Sequence, residues 1–219
     1  MINSEGDVVR IRPKAFHEAM AAAGWRVLGE GGCAYFRTGS FAEGARFVQE
    51  VAQLSGPAPD VDLRPDGVTV RLVTVTEEYY GLTEAHLELA REISALAEKL
   101  GLRADPAAVQ GVQVTLDALG DGVLPFWRAL LGYELRAGSP EDLIDPRRRG
   151  APFYFQQMDE PRPQRNRVHV DVWLPYDQAE ARIAAALAVG GRLVTDEHAP
   201  GYWVLADPEG NEACVGTCG

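Results

Sequence analysis

Residues 167–195, RVHVDVWLPYDQAEARIAAALAVGGRLVT, read as a strand, a helix and a second strand in direct succession. The strand spans Arg167 to Leu174. Asp177, with Glu180 three residues on, gives a capping-box start to a helix that stops at Gly190-Gly191. Strands follow at Arg192 to Thr195, Tyr202 to Ala206 and Glu212 to Thr217. The same order occurs upstream. Gly111 to Asp117 reads as a strand, and Asp121 to Leu131 as a helix with Leu124, Trp127, Leu130 and Leu131 inward and Gly132 as its stop. Short strands then run to Met158. Two consecutive strand-helix-strand-strand-strand modules predict one domain whose paired sheets enclose a pocket.

The chain before this repeat has a different rhythm. Lys14 to Ala23 carries Phe16, Ala19, Met20 and Ala23 on one helical face, and Gly24-Trp25 ends it. An extended stretch from Trp25 to Arg37 is broken by Gly29, Gly31 and Gly32, as in a hairpin. Helical spacing returns from Phe41 to Leu54, Pro57-Ala58-Pro59 forces a loop, and Val68 to Thr76 alternates as a strand. Thr83 caps a last helix with Leu89, Ile93, Leu96, Ala97 and Leu100 buried, closed by Gly101. The overall expectation is an α+β chain: a two-layer unit over residues 1–104, loss of periodicity around Asp105-Pro106, and the two-module domain over 109–219.

Charge limits the partners. The chain has 219 residues and a net charge of -11. Through Asp105 there are 16 acidic and 11 basic residues, and after it 16 and 10, so neither half is basic. A phosphate-tracking surface needs clustered Lys and Arg, and Arg147-Arg148-Arg149 is too short a run to supply one, which argues against a nucleic-acid partner. The first residues lack a signal-peptide pattern and no apolar run reaches the roughly 20 residues of a membrane span, so a cytoplasmic protein is expected. Cys33, Cys214 and Cys218 are an odd count without metal-type spacing, so each thiol is read individually.

The first unit resembles the pterin-4a-carbinolamine dehydratase family over most of residues 10–102. The resemblance rests on Gly24-Trp25, the Phe41 to Ala52 helix, Pro59-Asp60-Val61, Val68 to Leu72, Gly81-Leu82-Thr83 and Leu89-Ala90. It implies lyase chemistry on a reduced pterin, with a His-His-Pro motif and a later Thr-His moving protons. Those positions here read Pro57-Ala58-Pro59, and Val75 or, with a slip of two, Glu77. Imidazole is the usual acid-base group near neutral pH, so its loss implies impaired dehydration. The remaining histidines of this half, His17 and His86, are expected to face solvent.

Residues 109–217 resemble the glyoxalase-like branch of the vicinal oxygen chelate superfamily, which includes bleomycin-resistance proteins and dioxygenases. The carrying stretches are Phe126-Trp127 through Leu131-Gly132-Tyr133, Phe155 through His169 to Asp171, and Asp207-Pro208-Glu209-Gly210-Asn211-Glu212. The fusion order itself resembles a bacterial group of dehydratase-like proteins carrying this second domain. The resemblance places up to four metal ligands on Gln113, Gln156 (or Gln157), His169 and Cys214, with Glu212 as a substitute. Two amides, an imidazole and a thiol are a poor set for iron, zinc or nickel. No cofactor is required by this reading, and a divalent metal stays one alternative. The other is a metal-free pocket for a small molecule, a pterin among the candidates, lined by Gln113, Trp127, Gln156, His169, Asp171, Trp203, Glu212 and Cys214. Bland roles compete: His169 as a core residue, Asp171 paired with Arg165 or Arg167, Trp127, Trp173 and Trp203 as core, Cys214 as a small hydrophobe, and 207–211 as a plain turn. A lid would form at His198-Ala-Pro-Gly201. Three functions follow: a dehydratase-like lyase, a non-catalytic binding protein, or a metal-dependent lyase, isomerase or dioxygenase. The family resemblance also suggests a homo-oligomer.

Overall fold

A computed structural model describes residues 9–29, 31–160, 170–174 and 176–217. The chain divides into two compact units, Met1–Gly111 and Val112–Gly219. No helix among the described residues is long and apolar enough to cross a membrane.

The first unit runs α1 (Pro13–Met20), β1 (Arg26–Leu28), β2 (Gly31–Arg37), α2 (Phe41–Val51), β3 (Asp60–Arg64), β4 (Gly67–Leu72), β5 (Thr74–Val75), β6 (Tyr80–Gly81), α3 (Glu84–Lys99) and β7 (Arg103–Ala104). Its antiparallel sheet has the order β1-β2-β4-β3, with β7 also against β2. Strand periodicity decides what is buried: Ala34, Phe36, Val68, Val70 and Leu72 meet Phe16 and Met20 of α1, Phe47 and Val51 of α2, and Leu89, Ala90, Ile93 and Ala97 of α3. Trp25 joins the layers, edge-on to both Phe16 and Phe36, and its indole N–H donates to Ser94 Oγ at 2.9 Å. The strand expected from Val68 to Thr76 breaks at Val73, because β5 leaves the sheet to pair with β6.

Two helix starts show how local chemistry sets boundaries. Ser40 Oγ accepts the Glu43 N–H at 3.2 Å while the Glu43 carboxylate accepts the Gly39 N–H at 2.7 Å, a reciprocal cap for α2. In α3 the Thr83 cap is completed by His86, whose Nδ1 accepts the Thr83 N–H at 3.1 Å. His86 is therefore 1% exposed, contrary to the expectation that it faces solvent; His17 does face solvent. Residues 103–108, where periodicity fades, stay with the first unit. The reason is local bonding: β7 pairs with β2, the Asp105 N–H donates to the Tyr35 carbonyl, and Arg37 donates to the Asp105 carboxylate.

The second unit runs β8 (Val114–Ala118), α4 (Val123–Leu131), β9 (Glu134–Leu135), β10 (Asp142–Ile144), β11 (Phe153–Gln157), β12 (Val170–Trp173), α5 (Tyr176–Ala188), β13 (Arg192–Thr195), β14 (Tyr202–Ala206) and β15 (Glu212–Gly216). Its sheets have the orders β8-β11-β10-β9 and β12-β15-β14-β13, the same topology twice. In each, the first strand lies parallel to the last, which requires the intervening helix as a crossover. Phe126, Trp127 and Leu130 of α4 and Ala179, Ile183 and Ala186 of α5 share one core with Phe153, Phe155, Leu205, Ala213 and Val215. On α4, Phe126 is buried and Leu124 and Leu131 only half-buried, so the buried stripe is rotated from the expected one. Helix α5 opens at Tyr176, before Asp177, which places Asp177 inside the first turn and not at the cap.

Candidate ligand-binding site

Alternation sorts the second unit's strands into two faces. Val114, Leu116, Phe153 and Phe155 turn to the helices, so Thr115, Asp117, Tyr154 and Gln156 occupy the opposite face of the first sheet. Gln113 precedes β8 in step with Thr115 and is exposed. In the second sheet Val170, Val172, Ala213 and Val215 turn to the helices, leaving Asp171, Glu212 and Cys214 on the opposite face. The parallel register places Thr115 beside Tyr154, Gln156 beside Asp117, and Asp171 beside Cys214.

The register adds a residue that the sequence reading passed over. If Gln113 corresponds to His169, then Thr115 corresponds to Asp171, and the mate of Thr115 is Tyr154. Tyr154 is thus the counterpart of Cys214, and Gln156 lies one step further along the same face. Two-residue alternation was the signal that could have found Thr115, Asp117 and Tyr154.

The Cys214 thiol donates to the Asp171 carboxylate, and its pKa is raised by burial, by that hydrogen bond and by the negative charges of Asp171 and Glu212. Cys214 is therefore a protonated thiol at neutral pH, half-buried and in no disulfide. Arg165 and Arg167, the alternative partners of Asp171, lie outside the described residues, as do His169 and Cys218.

Trp127 is 1% exposed and lies in the core, with its indole N–H donating to Asp207 Oδ2 at 3.0 Å. Trp203 is half-buried against the same core. The turn at 207–211 does more than reverse the chain. Fully buried Asp207 also accepts the N–H groups of Glu209 at 3.0 Å and Asn211 at 2.8 Å, and the Asn211 side-chain amide at 2.7 Å. Glu209 in turn accepts the N–H groups of Leu119 and Gly120, so the second module's turn grips the end of β8. The segment 198–201 is tied by Thr217, whose Oγ1 donates to the Pro200 carbonyl at 2.6 Å and whose N–H donates to that of Gly201 at 3.0 Å.

A divalent metal does not fit the described donors. Gln113 and Gln156 offer neutral amides, which are weak donors for iron, zinc or nickel. Among the described residues no three His, Cys, Asp or Glu side chains are grouped as a metal would require.

In the first unit, the dehydratase motif positions hold no imidazole. Pro57 and Ala58 lie in the bend before β3, Val75 sits in β5 and Glu77 is exposed in the following turn. His86, the buried histidine, is committed to its cap.

Residues 113–216 match the model of the glyoxalase-like domain family. This half of the chain is a glyoxalase-like domain of the vicinal oxygen chelate fold, built as two βαβββ modules. Similar solved structures include a glyoxalase/bleomycin resistance protein from Albidiferax ferrireducens. It is 23% identical, with 49% of this chain and 97% of that one covered and a TM-score of 0.38. A glyoxalase-related enzyme from Fulvimarina pelagi is 15% identical, covering 50% and 88%, with a TM-score of 0.39. The fosfomycin resistance protein FosX from Listeria monocytogenes, solved with Mn(II) and a sulfate ion, is 11% identical, covering 50% and 90%, with a TM-score of 0.39. No curated protein matches the chain.

Proposed function

We propose that this chain binds a small molecule through its glyoxalase-like domain without using a divalent metal. The binding groups are Gln113, Thr115, Asp117, Tyr154 and Gln156 on one sheet and Asp171, Glu212 and Cys214 on the other, with His169 joining them by sequence alternation. The observation that carries this reading is the Asp171–Cys214 pair, adjacent in register and joined thiol to carboxylate. The pair offers a ligand hydrogen-bonding groups, and the facing amides Gln113 and Gln156 are weak metal donors. The first unit, in this reading, keeps a dehydratase-like arrangement of helices and hairpins and has lost the acid-base groups at Pro57, Ala58, Val75 and Glu77.

Equilibrium dialysis of the full chain against Mn(II), Zn(II) and Fe(II), followed by metal analysis, tests the metal-free reading. Less than a tenth of an equivalent of any metal is expected at about 10 μM free metal, and one tightly held equivalent would overturn it. A thermal-shift screen of pterins and carbonyl metabolites should yield a stabilising compound whose effect disappears in Tyr154→Ala and Gln156→Ala. For the first unit, no acceleration of water loss from a carbinolamine pterin is expected; acceleration above buffer would restore the dehydratase assignment.

A further inference from the structure

Strand β13 ends its sheet, with β14 on one side and no strand on the other among the described residues. An edge like this presents unpaired backbone groups and is normally guarded by charge, proline or brevity. Two other edges follow that rule: β3 alternates Asp60, Asp62 and Arg64, with an Asp62–Arg64 ion pair along it, and β9 has two residues. Strand β13 carries Leu193 and Val194, which are 43% and 44% exposed, and has neither lysine nor proline. Val189, 41% exposed, precedes it, and Tyr202, 40% exposed, stands on the neighbouring β14. The bulge between Leu193 and Thr195 leaves Val194 without a mate in the β14 register. That irregularity blunts the edge only in part, because the residue it frees is apolar.

The charges around this edge are self-complementary. Arg192 stands at its start and Asp196-Glu197 just past its end. Antiparallel pairing of the segment with itself about Val194 sets Arg192 opposite Asp196, Leu193 opposite Thr195, and Val194 opposite its own copy. The twofold axis makes the Arg192–Asp196 pair occur twice, and an isologous contact of this kind closes at two chains. Parallel pairing would instead set like charges side by side.

We propose that the free edge of β13 pairs antiparallel with β13 of a second copy of this chain, through Val194 and two Arg192–Asp196 pairs. The contact is independent of what the domain binds. A short strand pair is a small interface, so the dimer exchanges with monomer at micromolar to sub-millimolar concentration.

Sedimentation equilibrium of the full chain from about 10 to 500 μM is the test. The expected result is a mass rising towards twice the 23.8 kDa monomer. Val194→Lys should abolish the rise. Arg192→Asp and Asp196→Arg should each weaken association on the order of tenfold, since each reverses two pairs worth about two- to fivefold apiece. The combined Arg192→Asp, Asp196→Arg chain should recover it, an outcome that damage to the fold would not give. A chain monomeric at 500 μM overturns the proposal. So does a dimer indifferent to Val194→Lys, or one that the combined charge exchange fails to rescue. Unchanged circular dichroism and melting temperature in each variant tie the loss to the contact.

Discussion

Replacing Asp207 by alanine should unfold the glyoxalase-like domain more readily than any other single polar substitution in it. The carboxylate is fully buried and accepts four hydrogen bonds, two from N–H groups in its own turn and two from the side chains of Trp127 and Asn211. Hydrogen bonds to a charged group contribute about 1.5–3 kcal/mol each, and a buried donor left without a partner costs about 1–3 kcal/mol. The Trp127 indole, 1% exposed, has no route to water once its acceptor is removed. Some of the turn's N–H groups would regain water, so the net loss is roughly 3–5 kcal/mol. At about 4–8 °C per kcal/mol for a unit of this size, the melting transition of the domain falls by more than 12 °C. Asp207→Asn should cost nearly as much, because an amide placed at Oδ2 sets a third donor against Trp127 Nε1 and Asn211 Nδ2. Trp127→Phe should cost only about 1–2 kcal/mol, since it removes a donor instead of stranding one. Urea unfolding followed by tryptophan fluorescence measures all three, and a double-mutant cycle isolates the Trp127–Asp207 coupling. A cost below about 1 kcal/mol for Asp207→Ala would refute the claim that this turn is a structural joint.

Burial lowers the pKa of His86, and its Nδ1 is already an acceptor in the α3 cap. Below the unfolded value of about 6.5 the unfolded chain therefore binds the proton first, so first-unit stability should be flat above pH 7 and fall as pH drops from 6.5 towards 5. Urea midpoints across that range check the sign, and His86→Gln should flatten the slope. Glu209→Ala should cost about 1 kcal/mol and raise hydrogen exchange at Leu119 and Gly120, since its carboxylate accepts both N–H groups in an exposed setting. Gly191→Ala should destabilise the domain by about 1–3 kcal/mol in urea, because the added methyl would lie 2.4 Å from the Phe126 ring and 2.7 Å from the Ala186 carbonyl. Alkylation of Cys214 should accelerate in Asp171→Asn, which removes one of the charges holding the thiol protonated.

Legibility in the sequence followed the range of the forces involved. The repeated strand-helix-strand order and the Thr83 cap of α3 could be read directly, because period, caps and turn residues act within a few positions. The burial of His86 could not, since it depends on a ring nitrogen taking the place of the usual Glu or Gln in a capping box. The start of α5 at Tyr176 escaped for a related reason: a good capping residue two positions inside the first turn looks the same as a cap. For the site, the face shared by Asp171, Glu212 and Cys214 was legible from alternation. The face of Tyr154 was open to the same reading, but its pairing with Thr115 was not, because that follows from the register between β8 and β11, across about forty residues of chain.

The duplication separates structure from chemistry. Each module closes its third and fourth strands with an Asp-Pro turn whose carboxylate collects backbone N–H groups: Asp145 takes those of Arg147, Arg149 and Gly150, and Asp207 those of Glu209 and Asn211. Those N–H groups contribute to holding the Asp145 pKa below its usual value, against the opposing effect of burial. A feature kept in both modules serves the architecture they share. The strand faces diverge at matched positions, Thr115 against Asp171 and Tyr154 against Cys214, while the hydrophobic face stays apolar in both. By the same matching the hydrophobic face changes in size alone, Phe153 against Ala213 and Phe155 against Val215, whereas the opposite face changes in chemical type.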